Sequence, residues 1–425
     1  MDAKELIKTV ESGRLDEKLT ALYGADKLTG AKTRAAGAVN AYLGYFPDSP
    51  DLALFSSPGR VELLGNHTDH NAGAVMAGAV NIDIFAVAAP SDEPVIRVKS
   101  EGYPMVTVDL RDLTPQSEES THSPALIRGI AFRFREAGRK IGGFTAYTTS
   151  QVPKGSGLSS SAAFEVLIGT ILNKMYGGRA TPEQIAIDAQ FAENVYFGKP
   201  SGLMDQMASS VGGAVAIDFA DPAEPVVRPV AVDLAGLGYA LCIIDSGASH
   251  ADLTGEYAAV PQEMGAVAAY FGKRVLREVE EAQVIAHLPA LREAVGDRAV
   301  LRALHFFADD RRVEREADAL ARGDMDAFLA LVTESGRSSW ELLQDITPAG
   351  AVAEQAMAVA LTVAQRALKG QGACRVHGGG FAGTVQAFVP LDSLESFKAE
   401  TERALGAECC HVLSIRPVGG YVLCP

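Results

Sequence analysis

The run Val152–Glu165, "VPKGSGLSSSAAFE", leaves the backbone few choices. Gly155 and Gly157 permit a turn with no Cβ in the way, and three serines follow directly. The preceding "GFTAYTTS" reads as a strand entering a loop, and "GLSSSAAFEVLIGTILNKMYGG" as a helix ended by Gly177. A glycine loop feeding a helix N-terminus is an anion site, because unpaired N–H groups and the helix dipole both favour phosphate there. Ser159, Ser160 and Ser161 add hydroxyl donors, or oxygen ligands for a metal. Read alone, the same letters also fit a serine cap after an ordinary loop. The pattern GxxxxGK[ST] occurs nowhere in the chain, which excludes a P-loop NTPase.

The rest of the chain alternates strand and helix signals. "DLALFSSPGRVELLG" and "AVNIDIFAVAAP" read as strands, and Pro124–Lys140 has helical spacing. Thr181, Pro182 and Gln184 predict a capping box with proline at the first helical position, and Gly198 and Pro200 stop that helix. "HFFADDRRVEREADALARGDMDAFLALVTES" reads as two helices, and "ACRV" and "TVQAFVP" as strands flanking "HGGGFAG". Strands and helices in both halves give α+β as the fold class. At 425 residues two domains are expected. The proline-rich Ala220–Val230 is the candidate junction, giving an N-terminal domain over 1–219 and a C-terminal one over 220–425; a loop inside one domain is the alternative.

Composition narrows the partners. Lys and Arg number 38 against 53 Asp and Glu, a net charge of −15, which argues against nonspecific nucleic-acid binding. Five cysteines without a CxxC spacing read as reduced thiols in a cytoplasmic protein. No secretory h-region and no membrane-length apolar run is visible.

Three further features carry polar groups that a core does not need. In "GRVELLGNHTDHNAG", Arg60 precedes an apolar run, and Asn66, His67, Asp69 and His70 crowd one turn. A buried guanidinium suits an oxyanion. H-x-D-H is a weak metal signal without a second ligand cluster, and donors and acceptors in such density fit a polyhydroxylated ligand better. Glu193 sits at the end of a helix, and Asp205, bracketed by Met204 and Met207, is expected in the loop beyond it, made compact by Gly202. A carboxylate in an apolar setting needs a partner or a chemical role; for Glu193 a solvated helix face is the competing reading. Lastly, Gly378, Gly380 and Gly383 satisfy GxGxxG. A strand follows instead of a helix, and Arg403 stands near the place of the required acid, so a dinucleotide site is rejected.

Taken together, these segments resemble known motifs. "SPGRVELLGNHTDHNAG" resembles the galactokinase signature, and "VPKGSGLSSSAA" the phosphate loop of the wider GHMP kinases (galacto-, homoserine, mevalonate and phosphomevalonate kinases). "ENVYFGKPSGLMDQ" and "RVHGGGFAGTV" resemble the later galactokinase motifs, in the same order. The resemblance implies a two-domain GHMP fold with the site in the cleft, and a monomer or weak dimer. It implies ATP phosphates wrapped by Gly155, Ser156, Gly157, Leu158, Ser159, Ser160 and Ser161, and Mg²⁺ held by Ser161 and Glu193. Asp205 and Arg60 would be the catalytic pair; Asn66, His67, Asp69, Gly202 and Tyr257 would bind the sugar. The implied reaction is phosphorylation of D-galactose at C1. The departures lie in the sugar wall. Asn66 stands where galactokinases usually carry Glu, His70 where they carry Tyr, and His377 where they carry Thr. "AAVPQEM" lacks the usual arginine pair and cysteine, and "TESGRSSWELLQDITP" matches its motif poorly. A uronic acid, a pentose or an amino sugar is therefore an alternative substrate, and a non-catalytic sugar and ATP sensor a third reading.

Overall fold

The computed structural model describes residues 1–153, 157–248 and 253–425. Strands β1 (Ala53–Leu64), β2 (Ala74–Ser91), β3 (Val95–Ser100), β4 (Met105–Asp109), β5 (Gly143–Ser150), β6 (Ala214–Asp218) and β7 (Val226–Val230) belong to one sheet. β8 (Tyr239–Asp245), β9 (Ala373–His377), β10 (Thr384–Pro390) and β11 (Cys410–Leu413) form a second, in the order β11-β8-β10-β9. The last strand, β12 (Tyr421–Cys424), returns to the first sheet, which runs β12-β1-β2-β5-β3-β4, with β6 also paired to β2 and β7 to β6. The Ala220–Val230 segment thus runs into a strand that still pairs with β6, and the second sheet starts at Tyr239.

Every residue of β1 is buried, so helices must cover both of its faces. Alternation divides them. Leu54 packs with Phe85, Val87 and Ala89 against the N-terminal helices Ala3–Glu11, Asp16–Tyr23 and Leu28–Tyr45. Phe55, Val61 and Leu63 pack against the helix Ser160–Met175. Each such side chain contributes roughly 1.5–3 kcal/mol by leaving water. The second sheet packs on the helices Ala356–Leu368 and Leu394–Leu405.

Local irregularities place the site. The β1/β2 register shifts between Pro58 and Arg60 and again between Glu62 and Leu64, which breaks the strand's regular alternation around the arginine. The expected capping box at Thr181 is present, with both reciprocal hydrogen bonds at 3.3 and 3.1 Å. That helix ends at Phe191 and passes into a π-helical turn, Ala192–Phe197, which carries Glu193 and stops at Gly198, φ 85°. The two helices expected from "HFFADD…" are found, as Asp297–Ala321 and Met325–Ser338.

Candidate active site

Arg60 links the strand to the glycine loop. Its backbone N–H donates to Leu158 O at 3.0 Å, and its Nη1 donates to Gly157 O. A Cβ on Gly59 would lie 2.8 Å from Leu158 O, so this approach requires glycine. Nε and Nη2 both reach Asp205 Oδ1 at 2.6 Å. Ser159 Oγ donates to the other oxygen, Oδ2, at 2.8 Å. Ser159 sits in the left-handed region, φ 54°, and its side chain makes no capping bond to the helix it precedes. That disposes of the plain serine-cap reading: the hydroxyl is spent on Asp205, at a conformational cost of about 1–2 kcal/mol. Burial alone would raise the Asp205 pKa; Arg60, Ser159 and Lys199 outweigh it and hold the carboxyl below its usual range.

One expectation is corrected here. Asp205 lies in the first turn of a helix, Met204–Val211, and not in a loop. The short preceding turn leaves room for a helix start directly after Gly202, and the N-terminal end of the helix favours a carboxylate. The side chain is 27% exposed, as the flanking methionines suggested.

Glu193 is almost fully buried, which removes the solvated-face reading. Its Oε2 accepts from Ser201 Oγ at 2.6 Å and from Gln206 Nε2 at 2.8 Å. Its Oε1 faces Ser161 Oγ at 3.3 Å and the Lys199 ammonium at 2.9 Å. Gln206 also donates to Glu165 Oε2 at 3.0 Å; burial and the Glu193 charge push the Glu165 pKa well up. Ser160 opens the helix between Ser159 and Ser161. Gly155 and Ser156 lie outside the described residues.

His67 has φ 59°, and its Nε2–H donates to Gly379 O at 3.1 Å, which leaves Nδ1 as an acceptor. Burial, then the neighbouring His70, lowers its pKa to about 3, so the ring is neutral. Asp69 Oδ1 accepts from the His70 backbone N–H at 2.9 Å, while a Cβ on Gly202 would overlap the Asp69 carboxylate. Tyr257, on the helix Thr254–Tyr270, donates to Gly380 O at 2.9 Å and meets Phe381 edge-on. The Gly378–Gly383 turn therefore touches His67 and Tyr257 together. His377 accepts the Glu62 backbone N–H at Nε2, 3.1 Å, and pairs with Thr384 Oγ1 at 2.9 Å.

Asn66 is fully buried, and its amide points into a polar network. Nδ2 donates to Asp345 Oδ2 at 2.9 Å and to Ser339 Oγ at 3.2 Å. Its backbone N–H donates to Asp309 Oδ2 at 2.9 Å, and its carbonyl accepts from His305 Nε2 at 2.9 Å. Asp345 O accepts the Phe381 N–H under the glycine turn. Burial raises the Asp345 pKa to about 7. Sequence reasoning passed over Asp345, Ser339, His305, Gln206 and Lys199. His305 and Asp309 at helical i, i+4 spacing were one available signal; Ser339 and Asp345 lay in the segment whose motif match was poor.

The family described as GHMP kinases N terminal domain matches residues 125–213, and the galactokinase galactose-binding signature matches 40–90. A galactokinase of Streptomyces coelicolor is 34% identical over 83% of this chain and 89% of its own length. One from Glaesserella parasuis is 31% identical over 80% of this chain and 86% of its own. Among solved structures, Lactococcus lactis galactokinase complexed with galactose superposes with a TM-score of 0.78 at 24% identity, covering 92% of this chain and 99% of that one. A mevalonate kinase gives a TM-score of 0.61 at 14% identity, over 86% of this chain and 99% of its own.

Proposed function

The chain belongs to the galactokinase family of GHMP kinases, and we propose that it transfers the γ-phosphoryl group of ATP to the C1 hydroxyl of D-galactose. One observation carries this reading: Arg60 joins the sugar-signature strand, the glycine loop and Asp205 within hydrogen-bond distance. Phosphoryl transfer asks mainly for positioning and charge neutralisation, and this junction offers both.

Asp205, ionised, orients the anomeric hydroxyl and receives its proton as the phosphoryl group arrives. Its lowered pKa makes it a weak base, and the anomeric hydroxyl is more acidic than an ordinary alcohol. Arg60 keeps a hydrogen-bonding fork on the same carboxylate and steadies the negative charge passing between the oxygens. His67 Nδ1, Asp69 and the Gly202 backbone form the sugar side, with Tyr257 behind the Gly378–Gly383 turn. Ser159, Ser160 and Ser161 lie toward the nucleotide phosphates.

Ser161 and Glu193 suit Mg²⁺, since both present hard oxygens, and a cation, the Lys199 ammonium, already rests on Glu193 Oε1. When bound, Mg²⁺ would neutralise phosphate charge. The division at residues 219 and 220 stays our proposal for the domains, with β7 and β12 then two strands of the C-terminal part that pair in the first sheet. Five unpaired cysteines support a cytoplasmic location.

Asp345 also bears on the sugar. The carboxyl group missing at position 66 has a counterpart in Asp345, 2.9 Å from the Asn66 amide, so a carboxyl group is kept in this network. ADP release measured over a sugar panel with ATP and Mg²⁺ tests the assignment. Galactose should be turned over fastest; turnover of a uronic acid, pentose or amino sugar without galactose would overturn it. Tight sugar and ATP binding with no product would instead favour the sensor.

A further inference from the structure

The lysine on Glu193 is not among the residues assigned above to the sugar, the phosphates or the metal. Gly198 ends the π-helical turn in the left-handed region, and the Lys199 backbone N–H donates to Glu193 O at 3.1 Å. This turn folds the Lys199 side chain back across its own anchor. Nζ lies 2.9 Å from Glu193 Oε1, the oxygen that also meets Ser161 Oγ, whereas Oε2 is taken by Ser201 and Gln206. The two partners differ in freedom: the Glu193 side chain is 3% exposed and the Lys199 side chain 58%. The carboxylate is fixed, and the ammonium can leave into solvent.

A buried carboxylate without a counter-charge is strongly destabilising. Here the need is larger, because the Asp205 carboxylate adds to the field that Lys199 feels. A divalent cation on Oε1 would share that one oxygen with the ammonium, placing like charges a few ångströms apart. We propose that Lys199 is a resident counter-ion for the metal site: it neutralises Glu193 while the site is empty and must be displaced when metal and nucleotide bind. The lysine therefore weakens metal affinity, and favours entry of the metal as its nucleotide complex, whose phosphates offer the released ammonium a new partner. This rests on the placement of the metal at Ser161 and Glu193.

The test is Mn²⁺ binding in the presence of ADP, followed by electron paramagnetic resonance on the full chain without turnover. Lys199→Met should tighten Mn²⁺ at least about threefold, and Lys199→Arg should stay near the parent value. Equal or weaker Mn²⁺ binding by Lys199→Met overturns the proposal. Glu193→Gln separates the two levels: it should weaken Mn²⁺ at least about tenfold in the parent chain. If it does so while Lys199→Met changes nothing, only the counter-ion role fails. If Glu193→Gln changes nothing, the metal placement fails and the counter-ion role with it.

Discussion

Around Asp205 the polar groups are matched. One carboxylate oxygen takes the Arg60 fork, the other takes the Ser159 hydroxyl, and the carboxyl is held acidic. Around Asn66 they are not. Asn66 Oδ1 and Asp345 Oδ1 are both buried with no hydrogen-bond partner among the described residues, and Asp345 is pushed up to about 7. A matched ion pair keeps its geometry whatever the sugar. An acid–amide pair with two orphaned acceptors is short of one proton donor, and a protonated Asp345 supplies it. The Asp205 cluster is thus fixed by charge, whereas the Asn66 network is balanced on a proton.

The sharpest way to break this contrast is at the matched end. Asp205→Asn keeps the shape and a partner for Ser159, but cannot take a proton. It should lower kcat about 10²–10⁴-fold, the usual worth of general-base help. Galactose affinity by calorimetry should change little, because an interaction made mainly in the transition state is what has gone. A parallel loss of binding would mean that Asp205 holds the sugar rather than the reacting proton.

The matched half was largely legible in the sequence. Glycines and serines point to an anion-binding loop through local chemistry, and the capping box at Thr181 is set by four adjacent residues. The Arg60–Asp205 pair spans 145 residues and no local pattern shows it; the resemblance to a known family supplied the pairing. The unmatched half was not legible. Asn66 is a sugar contact by the family resemblance, and only the fold reveals that Ser339 and Asp345 take both amide hydrogens. The π-helical turn at Glu193 leaves no sequence mark either, since a one-residue slip in hydrogen bonding needs no special residue type.

At the unmatched end, Asn66→Glu places a second carboxylate against Asp345. Both cannot ionise in a buried site, so unfolding free energy should fall by roughly 3 kcal/mol, read from urea denaturation. Asn66→Glu with Asp345→Asn exchanges acid and amide and should recover more than about 1 kcal/mol of that loss, a coupling characteristic of residues in contact. Additive losses would show that the two groups do not share one hydrogen-bonded pair, and the contrast with Asp205 would lose its basis.

The pH dependence is the effect most specific to the proton. Burial leads the rise of the Asp345 pKa from 3.8 to about 7, with Arg375 and the Asn66 bond pulling down and Glu62 pushing up. The folded chain therefore keeps a proton that the unfolded chain releases. Stability from this group is fully present below pH 3.8 and is lost as pH rises through about 7. Asp345→Asn has nothing to titrate. Across that window the parent should lose stability relative to Asp345→Asn, with a slope of at most about 1.4 kcal/mol per pH unit, the value for one proton. Glu165 and Glu316 are raised in the same sense but are common to both chains, so the difference between the two profiles isolates Asp345. Parallel profiles would mean that Asp345 is already ionised at low pH and that its orphaned oxygen is matched some other way. The sign of the slope also separates the two regions. A carboxyl held acidic, like Asp205, loses its contribution as pH falls below 3.8, the opposite direction.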